Sequence, residues 1–326
     1  MKNFAFILAL LAFAANAQAA PAAADAPTKT PASAEKMRPL FVPAKLEFSG
    51  TPVKLVGEKL FLVETVVNGV PAKMLVDTGA SHTSLDLAWT REKFPDAGFR
   101  AAETGEGDGV YKISSQEIPL MPVSRFEVGG NAFRDFFMPL ADLRGLRAAL
   151  PELNDVVGVL GMNTITLAPC RLSLAGRTLE WMRREGFDAI PGKKRLFSRP
   201  VPGTDCRLVA VFSPKDGRAV FALLDCGAAD SSLPAEFWTG ASPEKREAIV
   251  TTHAGVRRVE ITFGVPATLK FSDEFALDGV EPKLIAPGEV PKVLLGLDVL
   301  ERVDLLFDSE NDVVFALDSR KNKTDD

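Results

Sequence analysis

The sequence of 326 residues predicts an all-β protein built from two related lobes. From residue 53 onward, short runs rich in valine, leucine and phenylalanine alternate with glycine, asparagine and proline, which is the pattern of strands joined by turns. Asn68-Gly69, placed between two such runs, is a strong hairpin signal. A third observation sets the number of lobes, because one series of sequence elements occurs twice in the same order.

The repeat is centred on two aspartates. Residues 73–81 are KMLVDTGAS and residues 221–229 are FALLDCGAA, so an apolar run ends at Asp77 in one copy and at Asp225 in the other. A hairpin pattern precedes each copy. A later element, VLGMN at 159–163, recurs as LLGLD at 294–298. A repeat of this length in a constant order indicates gene duplication.

The position of these aspartates at the end of apolar runs indicates a functional site. A strand that ends in a carboxylate presents it on a loop, where binding and catalytic groups are concentrated. One Asp-Thr-Gly sequence alone is also typical of an ordinary turn. The second copy favours the functional interpretation.

The paired motifs resemble those of retropepsin-like aspartic proteases, here fused into a single-chain pseudo-dimer over roughly residues 55–318. The resemblance implies two retropepsin-like lobes, each a closed or bent β-barrel-like unit with a few short helices, and a cleft between them. It also implies that Asp77 and Asp225 are the catalytic pair. The apolar-apolar-Gly elements would pack beneath the two loops, and a hairpin flap would cover the substrate.

The resemblance assigns a supporting role to the residues after each aspartate, with one departure from the family pattern. Thr78, Gly79, Cys226 and Gly227 would shape the two loops. In the family, Thr or Ser hydroxyls at the first of these positions bond across to the opposite loop. Because a thiol is a poor donor and acceptor, Cys226 is expected to weaken half of this linkage.

The departure leaves two hypotheses about activity. In the first, the chain is an exported aspartic endopeptidase, in which one carboxylate takes a proton from water while the other donates to the peptide carbonyl. In the second, it is a catalytically retired protease fold that serves as a periplasmic peptide-binding or structural protein. Neither hypothesis requires a cofactor or a metal, and the scattered His and Cys residues lack metal-ligand spacing.

Further residues are candidates for the substrate cleft. Ser81, His82 and Asp230 follow the aspartates closely, and His82 and Asp230 lie five residues after them. The alternative is that they are ordinary exposed turn residues. A Ser-His-Asp triad is not expected, because Ser81 and His82 are sequence neighbours whose side chains would diverge on an extended backbone.

A glycine-rich segment at 103–111 lies where the family carries its flap. Gly107 would belong to the mobile tip of this hairpin, and Tyr111, the one tyrosine of the chain, would contact the substrate. The alternative is a plain surface loop.

Helices are predicted at 85–94, 141–150 and 161–167, and behind Ser242-Pro243 over 244–249. A disulfide between Cys170 and Cys206 remains open, because the sequence does not give the distance between them. Cys226, placed on the floor of the expected site, is predicted to be a buried thiol.

The ends of the chain and its composition bear on location and partners. Lys2 precedes an apolar run and the AQA pattern at 17–19, which predicts a secretory signal peptide, no membrane insertion and a periplasmic or secreted protein. The short basic run GKKR at 192–195 and the net charge of −5 argue against nucleic-acid binding. A peptide or protein is the expected partner, and a monomer is the expected oligomeric state.

The predicted organisation is a signal peptide (1–19), an Ala/Pro-rich disordered spacer (20–40), a first lobe (41–185), a linker (186–203), a second lobe (204–318) and a polar tail (319–326).

Overall fold

The computed structural model describes residues 5–8, 41–57, 60–102, 118–252, 255–285 and 293–318. Strands dominate these residues and the helices between them are short, so the all-β prediction is confirmed. The strands in chain order are β1 (Ala5–Leu8), β2 (Lys45–Glu47), β3 (Val53–Lys54), β4 (Leu62–Val67), β5 (Val70–Val76), β6 (Ser84–Asp86), β7 (Arg100–Ala102), β8 (Ile118–Val128), β9 (Asn131–Ala141), β10 (Val156–Leu160), β11 (Cys170–Ser173), β12 (Thr178–Trp181), β13 (Lys194–Leu196), β14 (Ser198–Pro200), β15 (Arg207–Phe212), β16 (Ala219–Leu224), β17 (Ser232–Pro234), β18 (Ala241–Thr252), β19 (Gly255–Gly264), β20 (Ala267–Lys270), β21 (Ala276–Val280), β22 (Lys283–Ile285), β23 (Leu294–Leu295), β24 (Val303–Asp308) and β25 (Val313–Asp318).

The α-helices are α1 (Leu87–Lys93), α2 (Arg144–Ala149), α3 (Met162–Ile165), α4 (Arg184–Asp188) and α5 (Leu297–Leu300), with 3-10 turns at Pro151–Leu153 and Ala235–Phe237. None of the helices in the described part of the chain has the length and apolar character needed to span a bilayer.

The first lobe is an eight-stranded sheet in the order β2-β9-β6-β10-β5-β4-β8-β7. Strands β4 and β5 form the hairpin predicted at Asn68-Gly69, where both turn residues have positive φ angles of 46° and 86°. These angles match the tight hairpin turn that Asn-Gly favours. Strand β10 runs parallel to β5 and pairs Leu160 with Val76. The residues that follow these two therefore leave the sheet at the same edge.

The second lobe repeats this arrangement. Its sheet has the order β1-β18-β19-β22-β17-β23-β16-β15-β20-β21, with β14 paired to β15. Strand β23 runs parallel to β16 and pairs Leu295 with Leu224, as β10 does with β5. The apolar runs of both sequence repeats thus form central strands that end side by side with the strands leading into the Gly elements.

A third sheet joins the two halves. Its six strands have the order β13-β25-β24-β11-β12-β3, and β11 pairs with β24 through Cys170 and Phe307. Since β11 follows the first repeat and β24 follows the second, this pairing connects the lobes directly. One continuous apolar core runs through both lobes and includes Val76 and Leu224.

The helix predictions succeed at three segments and fail at one. Helices α1, α2 and α3 lie within the predicted segments 85–94, 141–150 and 161–167. The helix predicted at 244–249 is wrong, because these residues belong to β18 and pair with β19 along its length. The segment ends in IVTT at 249–252, and these β-branched residues favour a strand. Pairing within the long hairpin overrides the local Ser-Pro signal.

Several predicted segments differ from expectation or lie outside the described residues. Residues 186–203, predicted as a linker, contain β13 and β14, which pair with β25 and β15. Ala5–Leu8, within the predicted signal peptide, run parallel to Ala248–Thr251 of β18. The predicted spacer, the flap segment with Gly107 and Tyr111, and the polar tail all lie outside the described residues.

Candidate active site

The two aspartates leave the sheets at equivalent points. The Asp77 N–H donates to the Leu160 carbonyl at 3.1 Å, and the Asp225 N–H donates to the Leu295 carbonyl at 3.0 Å. These bonds continue the parallel pairing of β5 with β10 and of β16 with β23 by one residue. Both aspartates are buried, with exposures of 1% and 6%. The repeated sequence therefore produces repeated backbone geometry around two buried carboxyl groups.

Each loop also closes on its own aspartate. The Gly79 N–H donates to Asp77 Oδ1 at 2.7 Å, and the Gly227 N–H donates to Asp225 Oδ1 at 3.1 Å. A backbone N–H that donates to a carboxylate favours its charged form and fixes its orientation. The two carboxyl groups are thus oriented by the loops that carry them.

The two loops face each other across the lobes. A Cβ atom added to Gly79 would lie 2.6–2.8 Å from the carboxyl atoms of Asp225, and one added to Gly227 would lie 2.8–2.9 Å from those of Asp77. Real Cβ atoms do not approach other atoms so closely, and only glycine permits this packing. Each carboxyl group therefore rests on the backbone of the opposite loop, which brings the two aspartates into one site.

Thr78 and Cys226 link the two loops reciprocally. The Cys226 N–H donates to Thr78 Oγ1 at 2.9 Å, and the Thr78 N–H donates to Cys226 Sγ at 3.3 Å. The Cys226 thiol in turn donates to the Val76 carbonyl at 3.3 Å. The thiol thus takes the place that the resemblance assigns to a hydroxyl, with longer bonds.

The Cys226 thiol is fully buried, as predicted. Burial raises the pKa of the thiol to about 12, and the negative charge of Asp77 adds to the effect. The thiol therefore stays protonated at neutral pH, as its bond to the Val76 carbonyl requires.

Helices α3 and α5 begin directly beneath the loops. The Met162 N–H donates to the Ala80 carbonyl at 2.9 Å, and the Leu297 N–H donates to the Ala228 carbonyl at 2.8 Å. The N-cap of each helix is the glycine of its repeat. A Cβ at Gly296 would lie 2.6 Å from the Asp230 carbonyl carbon, so the helix packs against the loop backbone.

A side chain from each loop returns to these glycines. The Gly161 N–H donates to Thr83 Oγ1 at 3.0 Å, and the Gly296 N–H donates to Ser231 Oγ at 2.9 Å. The apolar-apolar-Gly elements thus lie under the loops that the resemblance assigns to them.

The remaining predicted cleft residues have different surroundings in the two lobes. Ser81 Oγ hydrogen-bonds with His82 Nδ1 at 2.9 Å, and the His82 ring packs edge-on against Phe41 with centroids 4.7 Å apart. Asp230 Oδ2 lies 2.8 Å from Lys283 Nζ. Gly107 and Tyr111 lie outside the described residues, so the structure does not place them.

Sequence reasoning missed the ionisable residues behind the second loop. Asp298 Oδ1 accepts from the Ser231 N–H at 2.8 Å and from Ser231 Oγ at 2.7 Å. Burial raises the pKa of the Asp298 carboxyl to about 6. The repeat offered a signal for Asp298, which aligns with Asn163. Lys283, almost fully buried, had no signal in the sequence.

The cysteines are free thiols, and all three are buried. The thiol of Cys206 donates to the Gly79 carbonyl at 3.6 Å. Burial raises its pKa to about 12, with a contribution from the charge of Asp77. Cys206 therefore lies against the first aspartate loop, and the disulfide to Cys170 left open by the sequence is not formed in this structure.

The arrangement suits proton transfer between two carboxyl groups and a water molecule. Where two carboxyl groups lie close enough to share a proton, one is ionised and the other is protonated. The ionised group can accept a proton from water while the protonated group donates to a carbonyl oxygen. Over the described ranges, no three His, Cys, Asp or Glu side chains are grouped as metal ligands.

Among the comparisons with known proteins, one finds a family match, and it lies within the first lobe. Residues 63–164 match the family model described as "Aspartyl protease". Among solved structures, the chain is similar to basic 7S globulin from soybean, with 12% identity, a TM-score of 0.49, and coverage of 84% of this chain and 96% of that chain. The comparison with curated proteins finds no match.

Proposed function

We propose that this chain is an exported aspartic endopeptidase that acts on peptides or proteins. The proposal starts from the match of the first lobe to the aspartyl protease family model. The family match supports a peptidase-type function in general. The proposal adds a specific site, in which Asp77 and Asp225 form one catalytic dyad.

A single observation carries the proposal, namely the packing of each carboxyl group on the glycine of the opposite loop. Were the two loops independent turns, nothing would require glycine at both contacts. The cross-links between Thr78 and Cys226 bring the same two loops together. A water molecule held between the two carboxyl groups would meet a base and an acid at once.

The mechanism follows from the shared proton. The ionised aspartate takes a proton from the bound water as the water attacks the peptide carbonyl. The protonated aspartate donates its proton to the carbonyl oxygen, and the roles reverse when the amine leaves. Because the two groups titrate as a pair, neither role belongs to Asp77 or Asp225 individually.

We further propose that the protein is exported from the cytoplasm and acts as a monomer. The predicted signal peptide at residues 1–19 supports export to the periplasm or beyond. Both aspartates belong to one chain, so a monomer suffices to form the site.

The alternative is a retired protease fold that binds peptides without cleaving them. The observation in its favour is Cys226, whose sulfur bonds at 3.3 Å are weaker than hydroxyl bonds. In that case the cleft would bind an extended peptide, and the dyad would not turn over.

Substitution of the two aspartates tests the proposal. We expect Asp77→Asn and Asp225→Asn each to abolish cleavage of an unstructured protein substrate while leaving the fold unchanged by circular dichroism. Neither substitution alters volume much, and an amide cannot carry the shared proton. Asp155→Asn, an exposed aspartate paired with Lys73, is the matched control and should retain activity.

The outcomes separate the two functions. Full activity in either dyad variant would refute a shared dyad. A wild-type protein that binds peptides but does not cleave them at any pH between 3 and 8 would favour the retired fold.

A further inference from the structure

A buried cluster of charged residues lies behind the second aspartate loop. Lys283, at the start of β22, is 4% exposed, and its Nζ lies 2.8 Å from Asp230 Oδ2. The backbone N–H of Lys283 donates to the Ser231 carbonyl at 2.8 Å. Lys283 therefore contacts two consecutive residues of the loop, Asp230 through an ion pair of its side chain and Ser231 through a hydrogen bond of its backbone.

Asp298 holds the same part of the loop from the other side. From α5, its carboxylate accepts both the N–H and the hydroxyl of Ser231. The Ser231 hydroxyl accepts from the Gly296 N–H, which closes the connection between the loop and the helix. Residues 230 and 231 are thus held between β22 and α5.

In the first lobe, a neutral side chain holds the corresponding loop. Asn163 occupies the position of Asp298 and accepts from the Thr83 N–H at 2.7 Å. Its Nδ2 donates to the Phe41 carbonyl, so both ends of the amide are used. His82 occupies the position of Asp230. The second lobe therefore has two carboxylates where the first has an amide and an imidazole.

The negative charge of the two carboxylates is compensated by a buried cation. The negative charge of Asp230 raises the pKa of the neighbouring Asp298 carboxyl, in addition to the larger effect of burial. Lys283 is the cation that faces them. Strand β22 also pairs with β19, where Phe263 lies opposite Lys283. Two further charged residues, Arg246 of β18 and Glu281, pair with each other at 3.2 Å.

We propose that Lys283 is a positioning residue for Asp225, because its buried ammonium group pairs with Asp230 and so fixes the loop that begins at Asp225. The inference rests on the proposed peptidase function, since Asp225 is placed for catalysis. A cation at this point compensates the negative charge of Asp230 and Asp298. Lys283 touches neither the substrate nor the reacting atoms.

Two substitutions and a control test this role. Lys283→Met removes the charge and keeps most of the volume, whereas Lys283→Arg keeps the charge. Lys194→Met is the control, because Lys194 Nζ also lies 2.8 Å from a carboxylate, Glu274, in an exposed pair. The measurements are kcat, KM and their pH dependence for peptide cleavage, with hydrogen exchange of the amides at 225–231.

We expect Lys283→Met to lower kcat by roughly 10- to 100-fold, the size of effect that a misplaced catalytic group produces. KM should change little, because the loss concerns the transition state more than substrate binding. The acidic limb of the pH profile should move upward, because a displaced Asp225 carboxyl would lie farther from Asp77 and the two pKa values of the pair would be less widely split. Lys283→Arg should recover much of the rate, and Lys194→Met should match the wild type.

A double variant covers the case in which Lys283→Met does not fold. Asp230→Asn with Lys283→Met leaves neither an unpaired lysine nor an unpaired Asp230 carboxylate. A folded double variant with reduced kcat would support the positioning role, whereas wild-type kcat would overturn it.

Hydrogen exchange separates failure of this inference from failure of the proposed function. If the wild type does not cleave peptides, the endopeptidase proposal fails, while faster exchange at 225–231 in Lys283→Met alone would still support positioning of the loop. If the wild type cleaves and Lys283→Met keeps its kcat, pH profile and loop exchange, the positioning role is refuted.

Discussion

The two lobes hold their aspartates with the same backbone bonds but with different side chains. The bond from the aspartate N–H to the neighbouring strand measures 3.1 Å in the first lobe and 3.0 Å in the second. The links between loops differ, because Thr78 Oγ1 accepts at 2.9 Å and Cys226 Sγ at 3.3 Å. The two lobes thus share the backbone frame of the site more closely than the side chains attached to it.

The charges differ more than the bond lengths. Asn163 of the first lobe corresponds to Asp298 of the second, and His82 corresponds to Asp230. In the second lobe, the Asp230 carboxylate is paired with a buried lysine, Lys283. The backbone thus sets where the two aspartate loops meet, while the side chains behind each loop set the electrostatic surroundings.

Substituting the loop glycines with alanine, which adds a methyl group at each position, tests the shared backbone frame most strongly. We expect Gly79→Ala and Gly227→Ala each to reduce kcat by about 100-fold or more, because the new Cβ would displace the opposite carboxyl group. The effect should be similar in both lobes, as their contacts are similar. Steady-state cleavage of a peptide, with folding checked by thermal melting, measures it.

Gly145→Ala is the matched control, because nothing lies within 4 Å of a Cβ at this position in α2. It should keep full activity. A strong loss at Gly79 alone would show that the two loops do not depend on each other symmetrically.

The charge difference between the lobes predicts a pH-dependent stability that one substitution should remove. Folded Asp298 keeps its proton up to about pH 6, whereas the unfolded chain releases it near 3.8. The contribution of Asp298 to the free energy of unfolding should therefore fall as the pH rises from about 4 to 6. A pKa of about 6 in the folded state and 3.8 in the unfolded chain corresponds to roughly 3 kcal/mol.

Asp298→Asn recreates the amide of the first lobe and can accept the same bonds from Ser231. We expect this variant to lose the fall in stability, measured by urea unfolding at pH 4 and pH 7. Asp155→Asn, at an exposed position, should keep it. An Asp298→Asn variant whose stability relative to the wild type is the same at pH 4 and pH 7 would contradict the raised pKa of Asp298.

The smallest expected effect concerns the sulfur in the link between loops. Cys226→Thr should raise activity severalfold, because a hydroxyl makes stronger bonds to the Thr78 N–H and the Val76 carbonyl, and one net hydrogen bond contributes about 0.5–1.5 kcal/mol. Cys170→Ala, which removes a buried thiol on β11, should give no gain. If Cys226→Thr remains folded and loses activity, the thiol has a role beyond this link.

Much of the fold was predictable because the repeat marks it. The apolar runs before Asp77 and Asp225 predicted central strands, and Asn68-Gly69 predicted the hairpin between β4 and β5. The segment 244–249 was not predictable from local signals, since its strand conformation depends on pairing with β19. Local capping signals cannot report a partner strand that comes later in the chain.

The site was predictable in part for the same reason. The loop residues follow the aspartates directly, so the repeat identified them together. Lys283 lies far from Asp230 in sequence, and only the parallel pairing of β17 with β22 brings them together. A single lysine without a repeated counterpart gives no pattern to detect. The contact of Cys206 with Gly79 was missed for the same reason.

The separation of the Asp77 and Asp225 carboxyl groups in an atomic-resolution crystal structure tests the central claim most directly. We expect the nearest oxygens of the two groups to lie about 3 Å apart and to share one proton, as required of a single dyad. Carboxyl groups set so far apart that water separates them, each with its own proton equilibrium, would contradict the account.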